Sequence, residues 1–156
     1  MKGMVLADLI KENLILLGVE AGTREEALRR TSQRLLEQGF VKETFYSALL
    51  EREAEYPTGL VLPTCGIAIP HVTPEHVNRS GIAVAVLKNT VKFRRVDDPE
   101  AEAEVKIIFN IALDRNGKQV EVLQKLMEFI SDETVLAGMT RALSADDIIQ
   151  LVGKVV

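Results

Sequence analysis

Apolar positions along this chain follow two periods, and the places where one gives way to the other mark its elements. Residues 14–17, Leu-Ile-Leu-Leu, predict a first short strand. Thr23 followed by Glu26 forms a capping box, so a helix opens there, and Gly39 can close it. A second helix is predicted over residues 42–55, with Phe45, Leu49, Arg52 and Tyr56 at helical spacing along one side. That stripe carries an arginine. Pro57, Gly59 and Pro63 end the helical pattern, and Gly66-Ile67-Ala68-Ile69 reads as a short apolar strand stopped by Pro70. Residues 82–87 and 105–113 are near-continuous apolar runs, the pattern of strands covered on both faces. Residues 91–94 alternate apolar with basic and predict an edge strand. From Lys118 the period is helical again, with Val120, Leu123, Met127 and Ile130 on one side. Another helix follows Asp132, and Ser144 with Asp147 resembles a cap for a last one bearing Ile148, Leu151, Val152 and Val155. Helices bracketing a central group of strands predict an α/β fold, a three-layer sandwich with a mixed central β-sheet flanked by helices.

Composition narrows what such a fold could serve. The 156 residues fit one domain spanning 1–156, and 47% hydrophobic with 27% charged residues is a globular mixture rather than a disordered one. A net charge of −4 argues against a broad basic face, so nucleic acid is not an expected partner. Cys65 is the only cysteine, which excludes an intrachain disulfide. The opening run MKGMVLADLIKENLILLG is interrupted by Asp8, Lys11, Glu12 and Asn13, giving neither a signal-peptide core nor a membrane span, and the expected location is the cytoplasm.

Two histidines are available for chemistry, and His71 is the better placed. Pro70 fixes its own φ and pushes Ile69 toward an extended conformation, which sets the imidazole at a strand's end. The crevice beyond the carboxyl ends of strands is the usual ligand site of open α/β sheets. A neutral imidazole is a nucleophile at physiological pH and can accept and release a phosphoryl group, whereas a structural, hydrogen-bonded histidine is the plain alternative. Phosphoryl transfer relies on positioning and on donors around the equatorial oxygens. Arg52, on or beside the inward stripe of its helix, is a candidate donor; pairing with Glu55 or another carboxylate is its alternative. Gln119 shares helical spacing with Leu123, Leu126 and Ile130, and near a helix N-terminus it could offer an amide to an anion; a solvated or capping residue is the alternative. Cys65 reads as a small buried hydrophobe, Asn110 as a residue satisfying backbone groups beside its strand, and His76 as a surface residue. His71 and His76 with scattered acids do not make a metal-ligand pattern, so neither metal nor cofactor is expected.

The segment Glu51-Arg-Glu-Ala-Glu-Tyr-Pro-Thr-Gly59, followed by Gly66-Ile-Ala-Ile-Pro-His71, resembles the enzyme IIA signature of the fructose and mannitol type of bacterial sugar phosphotransferase systems. The likeness extends over nearly the whole chain and implies a single type 2 enzyme IIA domain with the mannitol/fructose-type fold. The REAEYPTG wording and the second histidine of IAIPH-x4-H, His76, are most similar to the galactitol-specific proteins. The resemblance implies that His71 takes phosphate from the phosphohistidine of HPr and yields it to a cysteine of the cognate enzyme IIB, whence it reaches sugar entering through the membrane enzyme IIC. It implies that Arg52 helps hold the phosphoryl group, with Thr58, Gly59 and Gln119 as supporting residues. Mannitol- and fructose-type members often carry a second histidine where this chain has Gln119, and an amide cannot supply an imidazolium charge. Two other readings stay open at this point: a regulatory phosphoacceptor without flux to sugar, and an anion-binding module whose histidine is never modified.

Overall fold

The computed structural model describes residues 6–155. Its elements are α1 (Leu6–Leu9), β1 (Ile15–Val19), α2 (Arg24–Glu37), α3 (Phe45–Glu55), β2 (Gly59–Val61), β3 (Gly66–Ala68), β4 (Gly81–Arg94), β5 (Glu102–Ala112), α4 (Gln119–Ile130), α5 (Glu133–Thr140) and α6 (Ala145–Val155). The strands form one sheet in the order β1-β4-β5-β3-β2. β1 is parallel to β4 and β3 to β5, while β4 with β5 and β2 with β3 are antiparallel, so the sheet is mixed as expected.

The sheet is covered on both faces because its strands are apolar in both directions. Ile82, Val84, Val86, Ile107, Phe109 and Ile111 face a core completed by α1, α4, α5 and α6. Ala83, Ala85, Leu87, Ile108 and Ala112 face a second core completed by α2 and α3. These two cores make the three layers.

Helix ends follow the local chemistry. Thr23 Oγ1 accepts the Glu26 N–H at 3.2 Å, and Glu26 Oε2 reaches back to the Gly22 N–H at 2.9 Å, so the capping box closes one residue further out than its usual form. Gly39, at φ 82°, ends α2 in the left-handed conformation that glycine adopts without cost. At α6 the Asp147 N–H meets Ser144 Oγ at 3.3 Å while Asp147 Oδ2 accepts the Leu143 N–H at 3.0 Å. Ile148 and Val152 of the last helix are buried, and the side chain of Val155 lies outside those described, as do residues 1–5 of the N-terminal reading.

Several expectations need correction. Residues 91–94 are not a separate edge strand but the second half of β4, which pairs with β5 from Gly81 to Arg94 across an irregularity between Val86 and Val91. The pattern changes within one strand because the first half is covered on both faces and the second half on one. β2 was not expected; residues 59–61 form a short strand antiparallel to β3. On α4 the buried face is Val122, Leu126, Phe129 and Ile130, while Val120 is 72% and Met127 42% exposed. Apolar residues lie on two sides of this helix, and Phe129 decides the rotation by packing edge-on to Phe109 in β5. On α3 the buried row is Phe45, Leu49 and Glu53, leaving Arg52 half-buried and Tyr56 exposed. Among the described residues the Asn110 side chain bonds no backbone group: its Nδ2 donates to Thr31 Oγ1 at 2.8 Å and Ser32 Oγ at 3.3 Å on α2. His76 is half-buried, its Nδ1 sharing a 2.8 Å hydrogen bond with Thr44 Oγ1.

Candidate active site at the end of the third strand

β3 delivers its last residues alongside β5, with Ala68 opposite Ile108. Past the strand, Pro70 has no N–H to pair, but its carbonyl accepts the Ile111 N–H at 2.9 Å. His71 then bridges Ile111 in the same parallel sense. The histidine therefore sits beyond the carboxyl end of β3, gripped by its neighbour strand, where an α/β sheet presents its ligands. Its side chain is half-buried.

Nδ1 of His71 lies 2.9 Å from the carbonyl oxygen of Ile69. A carbonyl only accepts, so Nδ1 must carry the proton. In the neutral ring the lone pair is then on Nε2, the nitrogen that points away from this backbone contact and can act as nucleophile. The tautomer is set by the chain two residues upstream.

Ile69 is itself held on its other side. Its N–H donates to Thr58 Oγ1 at 3.1 Å. The Thr58 hydroxyl donates to Glu53 Oε1 at 2.9 Å, and the Thr58 N–H donates to Glu53 Oε2 at 2.8 Å. Glu53 is only 4% exposed, and no ion pair reaches it among the described residues. Burial pushes its carboxyl from the ordinary 4.5 up to about 7, against the opposing pull of the two Thr58 bonds and the more distant charge of Arg24. Desolvation wins because the compensating donors are neutral and the cation is remote.

The other residues singled out from sequence lie in four different settings. Thr58 and Gly59 connect α3 to the strand pair that carries His71. The hydroxyl proton of Thr58 is committed to Glu53. Gly59 pairs with Ala68, and a Cβ placed on it would meet the carbonyl oxygen of Arg94 at 2.6 Å, so this position needs glycine for backbone approach. Arg52 stands one residue before Glu53. Its guanidinium lies 4.8 Å over the Tyr56 ring, with no hydrogen bond or ion pair of its own among the described residues; the alternative pairing with Glu55 is not formed. Gln119 is the first residue of α4 and is exposed rather than inward-facing, because the helix turns Val122 and Leu126 to the core instead. Lys118 before it makes no side-chain cap, leaving the first N–H groups of α4 without a side-chain acceptor. Cys65 is half-buried beside the first core, and burial raises its thiol above the ordinary 9.0.

Sequence reasoning missed Glu53. The signal was present in the even step of four from Phe45 to Leu49 to Glu53, which continues the buried row more regularly than Arg52 does.

By family and by fold the chain is a phosphotransferase subunit of the class that carries a phosphohistidine. The chain is a member of the family described as phosphoenolpyruvate-dependent sugar phosphotransferase system, EIIA 2, whose model matches residues 8–155. It is 32% identical over 109 residues to the galactitol-specific EIIA component of Escherichia coli strain K12, covering 70% of this chain and 72% of that protein. It is 31% identical over 140 residues to the mannitol-specific EIICBA component of the same strain; that match takes in 88% of this chain but spans only 21% of the relative's length. Among solved structures, the complex of enzyme IIAMtl and phosphorylated enzyme IIBMtl from Escherichia coli superposes with a TM-score of 0.78 at 27% identity, covering 94% of this chain and 99% of that one. The fold is thus that of the mannitol enzyme IIA proteins.

Among the described residues no helix is long and apolar enough to cross a membrane, and no group of three or more His, Cys, Asp or Glu could hold a metal ion.

Proposed function

We propose that His71 is the phosphoryl acceptor of this EIIA component and that Nε2 is the nitrogen modified. The observation that carries the reading is the Nδ1 to Ile69 carbonyl hydrogen bond, which leaves Nε2 as the free lone pair. In the accepting step the Nε2 lone pair attacks phosphorus in line, the phosphorus–nitrogen bond of phospho-HPr breaks, and its electron pair returns to the donor imidazole. In the yielding step a cysteine thiolate of the cognate EIIB attacks the same phosphorus, a sulfur–phosphorus bond forms, and the pair returns to Nε2. Throughout, the Ile69 carbonyl keeps the proton on Nδ1 and disperses the positive charge that the ring gains on phosphorylation.

Arg52 is the donor proposed for the equatorial oxygens. A guanidinium that has no ion pair or hydrogen bond among the described residues and rests on an aromatic ring is pre-organised for a dianion at little cost. Gln119 and the uncapped N-terminus of α4 would add neutral donors. Partnership with an EIIB is supported by the mannitol complex, in which the similar protein is bound to its phosphorylated IIB. The setting is the cytoplasm, and the membrane EIIC takes part indirectly. The sugar is galactitol or a related polyol, supported by the match to the galactitol-specific EIIA component.

Intact mass after incubation with phosphoenolpyruvate, enzyme I and HPr tests the assignment. One acid-labile phosphoryl adduct is expected on the wild type and none on His71→Ala. An adduct of equal yield on the His71→Ala protein would overturn it.

A further inference from the structure

We infer that Glu53 is a positioning residue for phosphoryl transfer: through Thr58 it fixes the Ile69 backbone whose carbonyl selects the reactive tautomer of His71. The inference rests on the reading of His71 as the phosphoryl acceptor.

The geometry is a continuous run of donors and acceptors with one polarity. His71 Nδ1–H donates to the Ile69 carbonyl at 2.9 Å, the Ile69 N–H donates to Thr58 Oγ1 at 3.1 Å, and the Thr58 hydroxyl donates to Glu53 Oε1 at 2.9 Å. A hydroxyl has one proton, so the direction in which it points decides whether its lone pairs are free for Ile69. The carboxylate of Glu53 accepts that proton and turns the lone pairs toward the Ile69 N–H. Its second oxygen takes the Thr58 N–H at 2.8 Å, which fixes the loop between α3 and β2 from which the hydroxyl projects.

The side chain of Ile69 is buried in the first core, but its backbone has few other anchors, which is why this link matters. β3 ends at Ala68, and the following Pro70 can donate nothing to the sheet. The Ile69 carbonyl keeps its direction through the Thr58 bond on one side and the Pro70 carbonyl bond to Ile111 on the other. Remove the Glu53 acceptor and the first of these anchors loses its fixed polarity. A leucine would fit the buried row of Phe45 and Leu49 without the cost of desolvating a carboxyl. What a leucine could not do is hold Thr58.

The test uses the two tautomers as a readout independent of turnover. In 15N-labelled, unphosphorylated protein near about pH 8, long-range proton–nitrogen correlations separate ring nitrogens that carry a proton from those that do not. There are two histidines, so the His71 signals are those missing from the His71→Gln variant. The wild type is expected to show the Nδ1–H form of His71. Glu53→Gln and Thr58→Val are expected to mix in the Nε2–H form and to slow phosphoryl acceptance by roughly ten- to a hundredfold, as loss of an outer partner does for histidine ligands. The KM for phospho-HPr should stay within about twofold, because the docking surface is untouched. Thr58→Ser, which keeps the hydroxyl, should restore most of the rate lost in Thr58→Val. If Glu53→Gln fails to fold, the Thr58 pair carries the test alone. A His71 tautomer and acceptance rate that stay at wild-type values in folded Glu53→Gln or Thr58→Val protein overturn the positioning role. A tautomer that shifts while even the wild type takes no phosphate leaves the link standing and overturns the acceptor reading instead.

Discussion

Two polar residues, one near the end of α3 and one at the start of α4, are treated in opposite ways. Glu53, near the end of α3, is buried, has both carboxyl oxygens occupied by Thr58, and is tied by hydrogen bonds to the backbone behind His71. Gln119, at the start of α4, is exposed and sits beside a helix terminus that no side chain caps. Under the proposed function the difference separates two tasks. Orienting a nucleophile requires a partner with one geometry, which burial and saturated hydrogen bonds provide. Receiving a phosphoryl group that comes and goes requires donors that are unoccupied in its absence, and a donor already bonded cannot meet it. Arg52, half-buried and stacked on Tyr56 without a hydrogen bond of its own among the described residues, belongs with Gln119 in this respect although it is the immediate neighbour of Glu53.

The contrast breaks first at Arg52. Arg52→Ala should slow acceptance of phosphate on the order of a hundredfold, the usual loss when one charged or dipolar donor to a transferring group is removed. Its thermal stability should change little, since an exposed cation–π pair is worth about 0.5–1 kcal/mol. Rapid-quench counting of acid-labile phosphate measures the rate. A wild-type rate in this variant would place the guanidinium outside the phosphoryl site.

Glu53 gives the next largest effect, in stability as well as in the rate. In the folded protein its carboxyl titrates at about 7 instead of 4.5, so between these values the native state holds more proton than the unfolded chain. Stability contributed by this group is therefore full below about pH 4.5 and is lost as pH rises through about 7. At about 1.4 kcal/mol for each tenfold difference in proton affinity, the loss amounts to roughly 3 kcal/mol. Urea unfolding of wild type and Glu53→Gln across this range checks it: the wild type should lose ground to the variant as the solution becomes more alkaline. Parallel pH profiles would mean that Glu53 is ionised at no special cost.

How much of this was legible in the sequence depends on how local the cause is. The capping box at Thr23, the stop at Gly39 and the strand before Pro70 were readable because each is set by residues adjacent in the chain. The mixed three-layer sheet followed from apolar runs and bracketing helices, and the placement of His71 at a strand end followed from Pro70. The rotation of α4 was not readable, because that helix offers two apolar rows and the choice was made by a partner distant in sequence, Phe109; on α3 the row of Phe45 and Leu49 was readable, but not that Glu53 rather than Arg52 continues it, because a carboxyl turns inward only where a partner such as Thr58 meets it. The polar break at residues 88–90, which divided the apolar run from the predicted edge strand, is the point at which β4 outruns β1, whose pairing ends at Leu87. The link from Glu53 to His71 joins α3, the segment before β2 and the end of β3, and no spacing rule connects those three.

Gly59 tests the frame that holds the two sides of this link in register. A Cβ there would come within 2.6 Å of the Arg94 carbonyl and 3.2 Å of Phe93 Cβ, contacts that force β2 away from β4. Gly59→Ala should therefore cost about 2 kcal/mol, the ordinary penalty of overpacking, as a lower urea midpoint. Because Thr58 is the adjoining residue, the same variant should also loosen the His71 tautomer. An unchanged midpoint would show that the edge of the sheet yields without resistance.

The smallest effect is expected at Gln119, and it sharpens the comparison most directly. The side chain is exposed and makes no hydrogen bond among the described residues, so Gln119→Ala should leave stability within about 0.5 kcal/mol of wild type, with alanine's better helix propensity offsetting any loss. Its amide is neutral, and a hydrogen bond between neutral groups is roughly half as strong as one assisted by charge, so acceptance should slow only a few-fold where Arg52→Ala slows it far more. Gln119→His restores a ring that can carry charge. If that substitution raises the rate at mildly acidic pH and leaves it unchanged at alkaline pH, the α4 terminus faces the phosphoryl group and the amide is a weaker substitute for an imidazolium. If neither Gln119 variant alters the rate at any pH, the receiving side is Arg52 alone, and the exposure of Gln119 is that of an ordinary surface residue.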